Sequence, residues 1–258
     1  VTSALPGQPA REQDADGLEI YRLPAFPVMG GRFPVLRPLP PAADLWAQSI
    51  DFAVIQTRMY TQSVWAAQQC KRRGIPALVI DHSTGYMMHG GLDGVLGRWY
   101  EHLACGLIRR CGFPFYGVSA DVCRWLRTFG ITAAGTLPNA VDPEELTALA
   151  EAEPRTDWRT TLQVPPQGHL IAFVGRLIPE KGALPLAQAV AQLPGCVLAI
   201  AGTGPQEAAL RDLGGPVRVL GPLPHPQIVQ LLRQADCYCL PTEYAEGFPT
   251  TLLEAAAC

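Results

Sequence analysis

Twice along this chain short apolar runs alternate with amphipathic stretches of helix length, and that rhythm leaves few folds open. Residues 51–57, D-F-A-V-I-Q-T, read as a buried strand, residues 62–73 as a helix closed by Gly74, and residues 75–81, I-P-A-L-V-I-D, as the next strand. Strands joined through a helix run parallel with a right-handed crossover, so a helix-covered parallel sheet follows. The pattern continues with a helix over 92–111 that turns Trp99, Tyr100, Leu103 and Leu107 inward, and then a strand over 115–118. Ser119 can cap the next helix, in which Val122, Trp125, Leu126 and Phe129 keep the i, i+3, i+4, i+7 stripe until Gly130 ends it. Residues 135–141 bring the chain out again, and Asp142, Pro143 and Glu145 supply a cap, a first-position proline and a capping-box glutamate for a helix to about Glu153.

The rhythm restarts beyond a polar, proline-marked stretch at 154–168. Strands over 170–175, 196–201, 216–220 and 237–240 alternate with helices over 183–193, 205–213 and 226–235, where Pro226 comes first and Ile228, Leu231 and Leu232 point inward. A last helix follows Pro249. The expected organisation is therefore α/β, with one parallel-sheet domain over 1–153, a linker over 154–169 and a second such domain over 170–258. Ahead of the first sheet, residues 18–23 alternate like a strand. The segment after them carries Pro24, Pro27, Pro34, Pro38, Pro40 and Pro41, a density that argues against helix and central strand alike and leaves either a functional loop beside a ligand or, more simply, an ordered surface crossing.

Bulk properties remove several function classes. A formal net charge of −3 and a pI near 6.0 lack the basic excess of a nucleic-acid binder. No apolar run approaches the roughly 18 residues that span a bilayer, and the first residues lack the charged and apolar regions of a secretion signal, so a cytoplasmic protein is expected. Basic pairs at Arg72-Arg73 and Arg109-Arg110 suit helix C-termini, while leaving open a peripheral contact with the inner face of the membrane. The eight cysteines include no C-x-x-C, and most fall in apolar patterns as small core residues rather than zinc ligands.

The chemistry gathers at the ends of strands, where open α/β sheets bind ligands. Asp81-His82-Ser83-Thr84-Gly85 occupies such a position in the first sheet, and His82 there is either held by sheet-end hydrogen bonds or touches a ligand. In the second sheet residues 173–182, F-V-G-R-L-I-P-E-K-G, run from a strand into a turn bearing Arg176 and Lys181. A planar fork and a point charge five residues apart can meet one diphosphate. Among 20 basic residues only Lys71 and Lys181 are lysine, so Lys181 departs from the chain's habit. Gly202-Thr203-Gly204-Pro205 lacks the third glycine of a dinucleotide fingerprint but suits a turn that a nucleotide can approach closely.

The last seventeen residues, T-E-Y-A-E-G-F-P-T-T-L-L-E-A-A-A-C at 242–258, place Glu246 ahead of a helix N-terminus and Glu254 one to two turns inside it, with Pro249 at the first helical position. Between the two acids the N–H groups of Phe248, Thr250 and Thr251, with the aligned peptide dipoles, form an anion site. Acids near a helix start also occur for dipole reasons alone. Two carboxylates at E-x7-E beside a diphosphate site are nevertheless suited to gripping a nucleotide-sugar by its hydroxyls.

In this order G-R-L-x-x-x-K-G at 175–182, A-G-T-G-P at 201–205 and P-T-E-Y-A-E-G-F-P-T-T-L-L-E-A at 241–255 resemble the donor-binding half of the retaining GT-B glycosyltransferases of family 4, the glycosyl transferases group 1. G-V-S at 117–119 and P-N-A-V-D at 138–142 match the same family's first domain and its exit. The resemblance implies two Rossmann-like domains facing a cleft, the acceptor held by the first and the donor by the second. It implies transfer of a sugar, hexosyltransferase-like, from a nucleoside diphosphate sugar to an acceptor hydroxyl with retention, in bacterial cell-envelope glycan or glycolipid synthesis. The acceptor would be a glycan, a lipid-linked molecule or a small molecule. It implies no metal and no cofactor beyond the nucleotide-sugar co-substrate.

Carried onto this sequence, the family's donor contacts fall on Gly175, Arg176, Lys181, Gly202, Gly204, Glu246, Gly247, Phe248, Pro249, Thr250, Thr251 and Glu254, and its catalytic groups on His82, Glu246, Arg176 and Lys181. The same fold also serves nucleotide-sugar epimerases and phosphorylases, and a non-catalytic nucleotide-sugar binder would keep the same residues. Against the family pattern an opening strand with its glycine-rich loop and the closing elements are missing, so a chain incomplete at both ends is expected.

Overall fold

The computed structural model describes residues 1–4, 7–14, 17–28, 33–37, 42–88, 91–152, 154–243 and 246–258. Its contacts fall into two compact units, Val1–Pro138 with Ala245–Phe248, and Asn139–Tyr244 with Pro249–Cys258.

In the first unit β1 (Thr2–Ser3), β2 (Arg11–Gln13) and β3 (Glu19–Leu23) form a sheet of order β1-β3-β2. The proline-rich segment is not strandless. β4 (Ala25–Val28) and β5 (Phe33–Leu36) make an antiparallel ribbon in which Pro27 stands opposite Pro34. Both strands of a two-stranded ribbon are edges, where proline's missing donor is tolerated. Pro38, Pro40 and Pro41 lie outside the described residues.

After α1 (Ala43–Trp46) come β6 (Ala53–Gln56), α2 (Thr61–Arg73), β7 (Ala77–Asp81), α3 (Gly91–Arg109), β8 (Phe115–Gly117), α4 (Ala120–Leu126) and β9 (Gly135–Thr136). The strands pair in the order β6-β7-β8-β9, all parallel. Gly74 closes α2 with φ 68°, and the Ser119 hydroxyl caps α4 by accepting from the Val122 amide. The core between sheet and helices holds Ile55, Ala67, Val79, Cys105, Ile108, Phe115, Leu126 and Phe129.

The burial of α3 differs from its apolar pattern. Trp99 and Leu103 are 66% and 45% exposed, and the helix buries Gly97, Glu101, Ala104, Cys105 and Ile108 instead. The face is rotated because Glu101 turns inward, where Arg58 meets its carboxylate; a reading of apolar periodicity assigns an acid to solvent.

The second unit opens with α5 (Pro143–Ala152), whose first amides at Glu144 and Glu145 donate to the Asp142 carboxylate at 2.9 and 3.4 Å. Then follow α6 (Trp158–Thr161), β10 (His169–Val174), α7 (Ala183–Val190), β11 (Cys196–Ala201), α8 (Glu207–Leu213), β12 (Val217–Gly221), α9 (His225–Gln234), β13 (Cys237–Tyr238) and α10 (Thr250–Ala257). The parallel sheet has the order β12-β11-β10-β13. α5 packs on α9 through Leu146, Ala150 and Val229. The stretch read as a linker is folded into this unit: Asp157 caps α6, and Trp158 and Leu162 are buried beside Leu170 and Val197. The polar composition that suggests a linker comes from capping and surface residues around these two anchors.

Candidate functional site

At the carboxyl ends of the second unit's strands, the loops after β10 and β11 are joined backbone to backbone. The Gly175 amide donates to the Ala201 carbonyl at 3.0 Å, Leu177 to Thr203 at 2.9 Å, and Gln206 back to Leu177 at 3.1 Å. This approach requires glycine. A Cβ on Gly202, whose φ is 145°, would stand 1.9 Å from the Gly175 oxygen, and one on Gly204 would stand 2.5 Å from the Leu177 oxygen. Arg176 projects from this seam and is exposed.

Lys181 ends a 3-10 turn over Pro179–Lys181 that Gly182 closes with φ 74°. The Glu180 carbonyl accepts from the Glu243 amide at 2.8 Å and from the Thr242 hydroxyl at 3.2 Å, so residues 242–243 brace the turn that carries the lysine. Tyr238 ties the third loop in. Its hydroxyl donates to Thr251 Oγ1 at 2.8 Å and lies 3.4 Å from the Val174 carbonyl, linking the end of β10 to the first turn of α10. Pro249 is the N-cap of α10 rather than its first residue, and no side chain caps that end. Thr250 and Thr251 therefore supply the leading amides of the helix, with its positive dipole end behind them. In α10 Glu254 Oε1 lies 3.1 Å from His225 Nε2, at the start of α9.

The first unit holds the other predicted residues. His82 follows β7 and directs Nε2 at Gln56 Oε1, 2.6 Å away. Burial lowers its pKa, with the Asp81 charge opposing, so the ring is neutral at pH 7 and donates to the amide oxygen. Glu246 and Gly247 belong to this unit as well. Glu246 forms an antiparallel bridge with Ser83, and its carbonyl accepts from Thr84 Oγ1 at 3.3 Å. A Cβ on Gly247 would stand 2.2 Å from the His82 carbonyl and 2.6 Å from Val118 Cγ2, so glycine is required where this segment crosses the end of β7. The structure thus sets His82, Glu246 and Gly247 together in one unit, and Gly175, Arg176, Lys181, Gly202, Gly204, Thr250, Thr251 and Glu254 in the other.

Residues 1–145 match the family described as Glycosyltransferase Family 4, and residues 154–258 match Glycosyl transferases group 1. The chain belongs to glycosyltransferase family 4. A teichuronic acid biosynthesis glycosyltransferase, TuaC, of Bacillus subtilis (strain 168) is 36% identical over 106 residues, 41% of this chain and 26% of that protein. A D-inositol 3-phosphate glycosyltransferase of Mycobacterium tuberculosis (strain ATCC 25177 / H37Ra) is 34% identical over 112 residues, 39% of this chain and 23% of that protein. The matches span about a quarter of these curated relatives' length.

Among solved structures, sucrose-phosphate synthase from Thermosynechococcus elongatus superposes with a TM-score of 0.69 at 20% identity, covering 100% of this chain and 68% of that one. Anabaena HepE, solved with UDP and glucose, gives 0.59 at 17% identity, covering 81% of this chain and 57% of that one. These likenesses identify the GT-B fold, with its parallel α/β sheets.

Two features of this family 4 chain escaped the sequence reading. One is a buried ion cluster behind His82: Arg58 pairs with Asp81, donates to Ser83 Oγ at 2.7 Å and Glu101 Oε2 at 3.1 Å, and lies 4.4 Å from the Phe129 ring centroid. All three charged side chains are fully buried, and burial raises both carboxyls above their usual range against the pull of Arg58. The signal was an acid inside an amphipathic helix and an arginine directly after a buried strand. The other is His225, between two prolines just beyond the end of β12. A cavity of about 310 Å³ flanked by Arg211, Arg218 and Leu220 along β12 includes none of the predicted site residues. Among the described residues no group of three or more His, Cys, Asp or Glu is placed to hold a metal ion, and no helix is long and apolar enough to cross a membrane.

Proposed function

We propose that this chain acts in a retaining glycosyl transfer that takes a sugar from a nucleoside diphosphate sugar to an acceptor hydroxyl. The observation that carries the reading is the glycine-dependent seam between residues 175–177 and 202–204, bordered by Arg176, Lys181 and the uncapped start of α10. Such a surface lets a diphosphate approach backbone and cations together. The barrier in glycosyl transfer includes charge developing on the departing diphosphate, and preorganised donors lower it. Arg176, Lys181 and the Thr250 and Thr251 amides would meet that charge. Glu254 would accept from the ribose hydroxyls, Glu246 would hold the transferred sugar, and His82 would lie by its reacting face. The cations come from the chain itself, and no cofactor beyond the co-substrate enters the scheme. The HepE complex with UDP and glucose supports a nucleotide-sugar donor, and teichuronic acid biosynthesis in the name of TuaC supports a role in cell-envelope glycan synthesis.

The test is a mass-spectrometric screen of the protein against a panel of nucleotide-sugars, with and without glycan, lipid-linked and small-molecule acceptors, followed by proton NMR of any product and of the remaining donor, which reads the anomeric configuration and any epimerised sugar. A product of unchanged anomeric configuration supports the reading. Inversion overturns retention. Epimerised donor without acceptor, or sugar release to inorganic phosphate, replaces the transferase with another enzyme of the same fold, and tight donor binding with no product under any condition makes the chain a binder.

A further inference from the structure

We propose that His225 is a positioning residue for Glu254, and that this pair sets how strongly the second unit distinguishes a ribonucleotide from its 2′-deoxy counterpart. The inference rests on the reading of Glu254 as the ribose contact.

Glu254 is the fifth residue of α10, and its side chain is only 16% exposed. A glutamate there has three rotatable bonds, and freezing them when a ligand arrives costs entropy that a prior partner removes. His225 supplies that partner. Its Nε2 lies 3.1 Å from Glu254 Oε1, and because an ionised carboxylate only accepts, this ring nitrogen carries the hydrogen.

The histidine stands on a stiff mount. Pro224 and Pro226 flank it, fixing the φ angles on either side. It begins α9, which is anchored by the buried Val229, Leu231 and Leu232. The glutamate's helix is tied independently through Thr251 to Tyr238 on β13. Two anchored helices thus hold donor and acceptor in register, with His225 engaging one oxygen. Oε2 remains to accept from a ribose hydroxyl, and the carboxylate presents one orientation instead of several. A ligand lacking the 2′-hydroxyl would leave that oriented acceptor unmatched, which is where a preorganised site discriminates most.

Calorimetric titration of the chain with uridine diphosphate and 2′-deoxyuridine diphosphate tests this. The adenosine and guanosine pairs run alongside, and the tightest-binding pair is used. Wild type should prefer the ribonucleotide by about tenfold or more, the worth of a hydrogen bond to a charged group. Glu254→Ala, which removes the acceptor altogether, should abolish that preference. His225→Ala should bring the ratio to within about threefold of unity while binding the deoxy form about as well as wild type, and His225→Gln, whose amide nitrogen can reach the same oxygen, should restore most of it.

A His225→Ala chain that keeps the wild-type ratio, or weakens both nucleotides equally, overturns the positioning role while the ribose reading stands. A wild type without ribose preference, or a Glu254→Ala chain that retains it, overturns the ribose reading itself. Should the alanine variant not fold, His225→Asn, which is too short to reach Oε1, replaces it with the same expected loss.

Discussion

Lys181, proposed above to meet the departing diphosphate, shows how a single side chain is held by its support. Gly182 behind it has φ 74°, and a Cβ there would stand 2.2 Å from the Pro241 oxygen, so the turn lies directly against the segment that leads into α10. The lysine is thereby presented by backbone fixed on both sides, the condition under which a point charge stabilises a developing anion without reorganising. In the active enzyme Lys181→Ala should lower turnover about a hundredfold, the loss seen when one preorganised donor is removed. Unchanged steady-state kinetics would reject its role. Gly202 tests the same architecture through stability. An added methyl would meet the Gly175 oxygen at 1.9 Å, and φ 145° is strained for any L side chain. Gly202→Ala should therefore cost about 2–4 kcal/mol in urea unfolding and weaken nucleotide binding with it. A variant as stable as wild type would mean that the two loops are not in contact.

Among the elements, α3 separates pattern from packing. Its apolar stripe places Trp99 and Leu103 inward, yet the helix buries Glu101 and Ile108. Trp99→Gln should change stability by no more than about 0.5 kcal/mol, as at other exposed sites. Ile108→Ala should cost about 2–5 kcal/mol, because it opens a cavity in a closed core. The reverse order in chemical denaturation would restore the pattern's face.

The contrast marks what the residues disclosed on their own. Strands and helices of the two parallel sheets were legible because apolar period, caps and closing glycines agreed, as at Ser119 and Gly74. The rotation of α3 was not, because it depends on a guanidinium from residue 58 that becomes a neighbour only after folding. The β4–β5 ribbon was hidden for a related reason: proline statistics describe central strands, and pairing of Pro27 with Pro34 is allowed only where both strands are edges. The glycines and cations of the second unit's loops were legible as a motif, whereas His225 has meaning only once α9 and α10 stand side by side.

For the molecule as a whole, 20 basic and 23 acidic side chains leave little net repulsion near neutrality, so the pH dependence of stability between about 5 and 7 is set by groups whose pKa shifts on folding, and histidine is the one whose ordinary value lies in that range. Among the described residues the shifted histidine is His82, lowered by burial. The unfolded chain takes up that proton from about pH 6.5 downward while the folded chain still resists it. Acidification through this window therefore favours unfolding, and the loss is complete below the folded pKa.

Asp81 and Glu101 act in the opposite sense. Burial raises both, so the unfolded chain releases protons from about pH 4 upward before the folded chain does, and stability falls as pH rises from there toward the raised folded values. Because the acids act alike in both proteins, His82 reads out as a difference: the urea midpoint of wild type relative to that of His82→Gln should decline as pH drops from 7 toward 5. His82→Gln keeps an amide donor toward Gln56 and cannot charge, so its profile lacks the histidine contribution while keeping that of the two acids. Equal slopes in the two proteins would show that His82 is no more shielded from solvent than in the unfolded chain.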